Sequence, residues 1–266
     1  MSYFSGKVVW VTGASSGIGE ALTYELAKRG ARLILSARRK EELERVKGNC
    51  TPASQPGIRV LPLDLSLSET LQLSTEAAIQ IFGHVDILIN NGGISQRSLA
   101  KDTLISVDRK IMEVDYFGTI ALTKYLLPHF IQRKGGHYVT ITSVAGKIGV
   151  PVRTGYAAAK HALHGFFDSL RAEVWKENIL VTLVVPGWVS TNLSTHAVVG
   201  DGSAHNQIDP NNAGGYKPEV FATKMCNAIE NKKQEVYIAG AKETLAIYLK
   251  RFLPGIFSSI LKKQLK

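Results

Sequence analysis

An α/β fold with a doubly wound parallel sheet of seven strands is predicted by three features of this chain. Short β-branched runs alternate with segments of helical apolar spacing along almost the whole length. The turn Gly13-Ala14-Ser15-Ser16-Gly17-Ile18-Gly19 stands between the first such run and the first helix. The other polar, chemistry-bearing clusters also fall just past strand ends, where ligands bind in sheets of this kind. The 266 residues suffice for one large domain with helices on both faces of the sheet.

The elements follow in order. Lys7–Thr12 (KVVWVT) is the first strand, apolar throughout as a buried parallel strand requires. Gly17–Arg29 is a helix with Ile18, Leu22 and Leu26 on one face and Gly30 as its stop. Ala31–Ser36, Ile58–Leu63 and Val85–Asn90 are strands two to four, separated by helical segments at Lys40–Lys47 and Ser68–Phe82. One long helix is predicted over Ile105–Phe130, then a fifth strand over His137–Thr142 and a second long helix over Thr154–Lys176. Leu180–Val185 and Glu235–Ile238 are strands six and seven. Gly187–Pro218 has neither periodicity, and a long irregular loop after strand six reads as a substrate lid.

Composition is globular, with 45% hydrophobic and 20% charged residues, no repeat and no low-complexity tract. Cys50 and Cys226 form no motif with each other or with histidine. A metal site and a disulfide framework are therefore not expected, and a reducing compartment is. His161 and His164 flank Lys160 without the pattern of a ligand set, and the sequon at Asn192 has no other sign of secretion beside it. The first residues lack the apolar core of a signal peptide, and no apolar run is long enough to span a bilayer. A cytoplasmic or peripherally membrane-associated protein is expected. Half of the net charge of +10 lies in residues 242–266, where Lys242, Lys250, Arg251, Lys262, Lys263 and Lys266 face one acid, Glu243. Such a tail suits a solvated face, a membrane surface or an anionic ligand, and nucleic-acid binding would rest on net charge alone.

Gly13, Gly17 and Gly19 are spaced G-x3-G-x-G. Glycines let the backbone approach phosphate oxygens closely, and the helix that starts there offers free N–H groups, so Ser15, Ser16 and Ile18 join the candidate pyrophosphate seat. Past strand two the chain reads Ser36-Ala37-Arg38-Arg39, with no carboxylate to bond a ribose 2′-hydroxyl. Arg38 and Arg39 instead suit a 2′-phosphate, which favours NADP(H) over NAD. Their plainer reading is the basic start of a surface helix paired with Glu41 and Glu42. Asp64, with Leu65 beside it, ends strand three and can meet the adenine, or can serve only as a turn residue. Asn90, Asn91 and Gly92 end strand four, where amides can tie strands together and glycine leaves room for adenosine.

Tyr156 and Lys160 are four residues apart in a helical segment and share one face. A cation a few ångströms from a phenol favours the phenolate and so eases proton exchange near neutrality. Ser143, after strand five, can bond the same substrate oxygen. Together the three can polarise a carbonyl and donate a proton as hydride arrives.

Thr12–Gly19, Asn90-Asn91-Gly92-Gly93, Ser143, Tyr156-x-x-x-Lys160 and Pro186-Gly187 with Thr191, in this order, resemble the short-chain dehydrogenase/reductase family from about Gly6 to Ile238. The resemblance implies a single-domain Rossmann fold over residues 1–240, with Tyr156 as general acid/base and Ser143 orienting the substrate. It implies that Lys160 also holds the nicotinamide ribose and that Val189 and Thr191 meet the carboxamide. It implies homodimers or homotetramers paired through the two long helices. Two departures stand out. Gly92 replaces a usual alanine, and Asp115 stands where the family usually has an asparagine whose carbonyl holds a relay water. A carboxylate at Asp115 would raise the pKa of Lys160 and move the pH profile. The tail over 241–266 carries apolar residues from Leu245 to Leu261 at helical spacing, broken at Pro254-Gly255. It resembles the tails of the membrane-associated, steroid- and lipid-reducing branch of the family, and Trp188, Leu193, Val198 and Val199 suit a lipophilic substrate.

The expected activity is an NADP(H)-dependent reduction of carbonyls or oxidation of secondary alcohols. Two alternatives remain: a 3-oxoacyl reductase of fatty-acid synthesis, and a catalytically idle NADPH-binding regulatory protein.

Overall fold

The computed structural model describes residues 2–207, 209 and 214–263. Its strands are β1 (Val8–Thr12), β2 (Arg32–Ser36), β3 (Ile58–Val60), β4 (Ile87–Asn90), β5 (Gly136–Ile141), β6 (Ile179–Pro186) and β7 (Glu235–Ile238). They form one parallel sheet in the order β3-β2-β1-β4-β5-β6-β7. The chain winds outward from β1 to β3, returns to place β4 on the other side of β1, and winds outward again. The helices are α1 (Gly17–Lys28), α2 (Lys40–Gly48), α3 (Leu71–Phe82), α4 (Ile105–Met112), α5 (Gly118–Gln132), α6 (Thr154–Glu173), α7 (Pro218–Glu230), α8 (Ala241–Phe252) and α9 (Pro254–Lys263).

Strand alternation sends side chains into two cores. Val9, Val11, Leu33, Leu35, Ile87, Ile89, Val139 and Val184 pack with Leu22 and Leu26 of α1 and with Phe221 and Met225 of α7. Val8, Trp10, Ile34, Leu88, Tyr138, Val181 and Leu183 pack on the other face with Leu122, Leu126 and Phe130 of α5 and with Leu163 and Phe167 of α6. The doubly wound parallel sheet expected from the sequence is thus the observed architecture.

Three elements differ from expectation. β3 is regular over Ile58–Val60, and beyond it Leu61 and Leu63 still donate to the Leu35 and Ala37 carbonyls, while Pro62 takes the outward-facing position of this edge strand, where no ladder N–H is needed. α6 ends at Glu173, and a tighter turn over Trp175–Glu177 leads to Asn178 at φ 55°. The long helix over Ile105–Phe130 is interrupted by a π turn, Glu113–Phe117, between α4 and α5. The wider turn carries Asp115, which is fully buried, and such turns are frequent at functional sites.

The tail is docked on the sheet. Phe257 of α9 is buried with Val144, Ile148 and Val185. Glu243 of α8 accepts the Trp188 N–H at 2.8 Å and also bonds the Gly240 N–H. The other side of the hairpin leaves Leu245, Tyr248, Phe252, Leu253, Ile256 and Ile260 exposed. Lys266, part of the basic tail, lies outside the described residues.

Two buried histidines make the fold sensitive to acid. His137 of β5 has Nε2 2.8 Å from Thr182 Oγ1, which itself donates to the Lys233 carbonyl, so the ring nitrogen donates. Burial, then Lys7 and Lys232, push its pKa down to about 3. His164 of α6 is pushed down to about 4 by burial and then by Lys147, against an opposing pull from Glu235. Unfolded histidine titrates near 6.5. Below that pH the unfolded chain binds protons that the folded chain refuses, so stability falls with acidification. We expect the melting temperature to be flat above pH 6.5 and to drop steadily towards pH 4. His137→Gln keeps a donor without a titrating group, and it should flatten part of that slope in a pH series of thermal melts.

Candidate active site

A cavity of about 570 Å³ opens beyond the carboxyl ends of the strands where their order reverses between β1 and β4. Gly13 and Gly17 turn the chain at φ +65° and +57°. A Cβ on Gly13 would sit 2.8 Å from Asn91 Nδ2, and one on Gly19 would collide with the Gly13 carbonyl. The turn is clamped from β4. Asn91 Nδ2 donates to the Thr12 and Gly13 carbonyls at 3.0 Å, and Thr12 Oγ1 accepts the Asn91 and Gly92 N–H groups at 3.0 Å. The Ser16 side chain at the N-cap makes no capping bond to α1, whose first residues line the cavity with Ser15 and Ser16. A bare helix N-terminus on a glycine cradle fits a pyrophosphate.

At one end the wall is Ser36, Ala37, Arg38 and Arg39 with Leu63, Asp64 and Leu65. Glu42 pairs with Arg45 at 2.8 Å, and Glu20 also pairs with Arg45 at 2.8 Å. Among the described residues no ion pair engages Arg38 or Arg39, so the surface-pair reading of these arginines finds no support. Asp64 Oδ1 accepts from the Ser66 N–H and hydroxyl at 2.9 and 2.7 Å, so Asp64 both shapes its turn and borders the cavity.

At the other end Tyr156 and Lys160 line the same cavity from one face of α6. Lys160 Nζ lies 5.6 Å from the Tyr156 ring centre, 3.2 Å from Asp115 Oδ2 and 3.5 Å from the Ile141 carbonyl oxygen. Asp115 Oδ1 accepts the Ile94 N–H at 2.7 Å. Burial alone would lower the pKa of Lys160; Asp115 and then Tyr156 outweigh it, and the ammonium is favoured. Burial acts on Asp115 in the opposite sense and raises it, with Lys160 and the Ile94 N–H pulling it back. The start of α6 is held by a residue the sequence reading missed. Gln96 Oε1 accepts the Gly155 and Tyr156 N–H groups at 2.8 and 3.3 Å. No local pattern marks it, because it reaches across from the loop after β4.

The other expected residues divide. Ile18, Gly92, Pro186 and Thr191 reach the cavity wall. Ser143 stands after β5 with Oγ accepting the Ala145 N–H at 3.1 Å, next to Thr142 of the wall but not itself on it. Gly19, Asn90, Gly187 and Val189 stand behind the wall. Asn90 Nδ2 ties Thr123 and Thr140, and the Gly187 N–H bonds the Ile238 carbonyl at 3.0 Å. Lys110 and His196 line the cavity and carried no sequence signal. Leu193 and Val198 of the expected lid line it too, together with Ile94 and Val114. The lid is stitched down. Val198 exchanges backbone bonds with Ser95 and Arg97, and Asp209 takes Arg97 at 3.0 Å and Arg153 at 3.1 Å. Lid positions 208 and 210–213 lie outside the described residues.

The short chain dehydrogenase family model matches residues 7–199. The chain belongs to this family. Its relatives within the family include a dehydrogenase/reductase SDR family protein 7-like from Anopheles gambiae, 44% identical over 98% of this chain and 84% of the relative. Dehydrogenase/reductase SDR family member 7 of Homo sapiens is 44% identical over 93% of this chain and 74% of its own length. A solved short-chain dehydrogenase from Streptomyces avermitilis superposes with a TM-score of 0.79 at 26% identity, covering 98% of this chain and 97% of that one. Two Burkholderia short-chain dehydrogenases of the same fold, 24% and 22% identical and each with a TM-score of 0.80, were solved with NADP and with NAD respectively. The shared fold therefore accommodates either dinucleotide and does not choose between them. Family membership makes the chain a dehydrogenase/reductase acting with a nicotinamide cofactor.

Proposed function

We propose that the protein transfers hydride between NADP(H) and a carbonyl or secondary alcohol of a lipophilic substrate. One observation carries this reading: a single cavity joins the glycine cradle, the Arg38–Arg39 pair and the Tyr156–Lys160 face. The bare N-terminus of α1 receives the pyrophosphate, and Arg38 and Arg39 receive the 2′-phosphate. NADPH bound there supplies the hydride. Tyr156 donates its hydroxyl proton to the substrate oxygen, while Lys160 stabilises the charge left on the phenol and holds ribose hydroxyls. Ser143, next in the chain to Thr142 of the wall, orients the substrate oxygen in this reading. Ile94, Val114, Leu193 and Val198 supply an apolar wall for the rest of the substrate.

Turnover of NADPH across steroids, retinoids, acyl ketones and sugars tests the reading, and a preference for acyl-carrier thioesters would point instead to a 3-oxoacyl reductase. Tyr156→Phe should lower kcat by about 10²- to 10⁴-fold with NADPH affinity kept. Undiminished turnover would remove Tyr156 from the chemistry. Replacing Arg38 and Arg39 by serine should raise KM for NADPH by about 10- to 100-fold, the worth of one or two charge-assisted bonds, and leave that for NADH nearly unchanged. Equal effects on both cofactors would reject the 2′-phosphate assignment.

We also infer that the exposed side of α8 and α9 rests on an anionic membrane surface. Tyr248, Phe252, Leu253 and Ile256 are exposed there, with Lys250, Arg251, Lys262 and Lys263 on the same hairpin. Subunits would pair elsewhere, along α5 and α6, where Tyr125 of α5 is exposed and Phe117 of the preceding π turn is exposed too. No described helix is long and apolar enough to cross a membrane. Because α9 covers core residues, point changes test the surface better than truncation. Phe252→Ser with Ile256→Ser should abolish co-sedimentation with vesicles containing phosphatidylserine, and equal sedimentation of both proteins would refute the contact.

A further inference from the structure

Asp115 is fully buried, yet it stands at the middle of a helical segment whose neighbours Val114 and Tyr116 are only partly covered apolar residues. The π turn that carries it costs regular hydrogen bonding, so its placement calls for a physical reason. Both carboxylate oxygens are directed. Oδ1 takes the Ile94 N–H, and Oδ2 lies 3.2 Å from Lys160 Nζ. Gly93 makes the approach possible, because a Cβ there would stand 3.1 Å from Oδ2 and 3.2 Å from Oδ1. Three separate elements thus converge on one contact: the π turn, the glycine after β4, and the second turn of α6.

Lys160 has little else to hold it. Its other close polar neighbour is the Ile141 carbonyl at 3.5 Å, and no second carboxylate pairs with it among the described residues. A buried ammonium without a counter-charge tends to shed its proton, whereas one in contact with a carboxylate keeps it. The groups around the pair are few. Tyr156 faces it from α6 and Lys110 lines the same cavity from α4. Arg153, further along towards the start of α6, is engaged by Asp209.

We propose that Asp115 is a positioning residue for the reaction: its carboxylate anchors Lys160 beside Tyr156 and keeps it an ammonium throughout the working pH range. This inference rests on the reading of the cavity given above. In this chain the lysine is held by a direct ion pair, so its charge and its place are set by the same contact.

The test compares the wild-type protein with Asp115→Asn, which keeps the side-chain shape and removes the charge. Two quantities are followed against pH: kcat with saturating NADPH, and the ¹⁵Nζ ammonium resonance of Lys160, assigned by its loss in Lys160→Met. The wild-type resonance should persist above about pH 10.4, the ordinary lysine value. In Asp115→Asn the resonance and the alkaline limb of kcat should both move down by about one to three pH units. A downward move of less than half a unit, or an upward one, overturns the proposal. If Asp115→Asn does not fold, the wild-type resonance decides, and its loss at or below the ordinary lysine value overturns the proposal. If the wild type turns over no carbonyl, the functional reading fails while the Lys160 titration still decides this one.

Discussion

The reversal of strand order at β1 and β4 is the constraint on which the site depends. Two strands that carry the chain in opposite lateral directions leave a crevice between their carboxyl ends, because neither following segment crosses it. The crevice would be only a gap without its cross-ties. Thr12 and Asn91 exchange bonds between the two strand ends, and Asn91 also fixes the Gly13 carbonyl. The backbone of the glycine turn is thereby held in a single shape, with two left-handed glycines and room for no Cβ at Gly13 or Gly19. A rigid cradle loses little entropy when an anion enters it, which is the condition for tight phosphate binding by backbone groups.

Much of this was legible in the sequence because it is local. A glycine turn between a strand and a helix, an Asn-Asn-Gly strand end and a Tyr–Lys pair one helical turn apart each carry their geometry in their spacing. What was not legible depends on contacts distant in the chain. Nothing near Gln96 shows that its amide caps a helix some sixty residues later. The break in the long helix at Glu113–Phe117 is invisible to apolar periodicity, since a π turn alters phase by one residue and not the composition. The tail shows apolar spacing, but spacing alone does not tell a docked face from an open one. The hairpin has both, with Phe257 inward and Phe252 outward.

The Tyr156–Lys160 end of the cavity carries a stability cost. Burying an ammonium and a carboxylate together removes hydration from both, and the attraction between them seldom more than offsets that loss. A hydrophobic pair of the same volume would serve the fold as well. The arrangement makes sense where a charge is wanted in a place without water. Gly93, the π turn and the Gln96-capped start of α6 are all spent on bringing Asp115 and Lys160 to 3.2 Å. Asp115 is one half of this ion pair, so exchanging one heavy atom of its side chain, as Asp115→Asn does, changes how the lysine is held.

The same economy links the tail to the lid. The lid leaves the sheet at Pro186-Gly187, and the next N–H, that of Trp188, is taken by Glu243 of α8. Gly187 has no room for a side chain, since a Cβ would stand 2.5 Å from that carboxylate. The root of the lid and the root of the tail are therefore one junction. Arg97 and Arg153 hold the middle of the lid through Asp209, while its first peptides bond Ile238 and Tyr216 as well as Glu243 of the hairpin. A force that shifts α8 must act on Glu243 and so on the peptide where the lid begins.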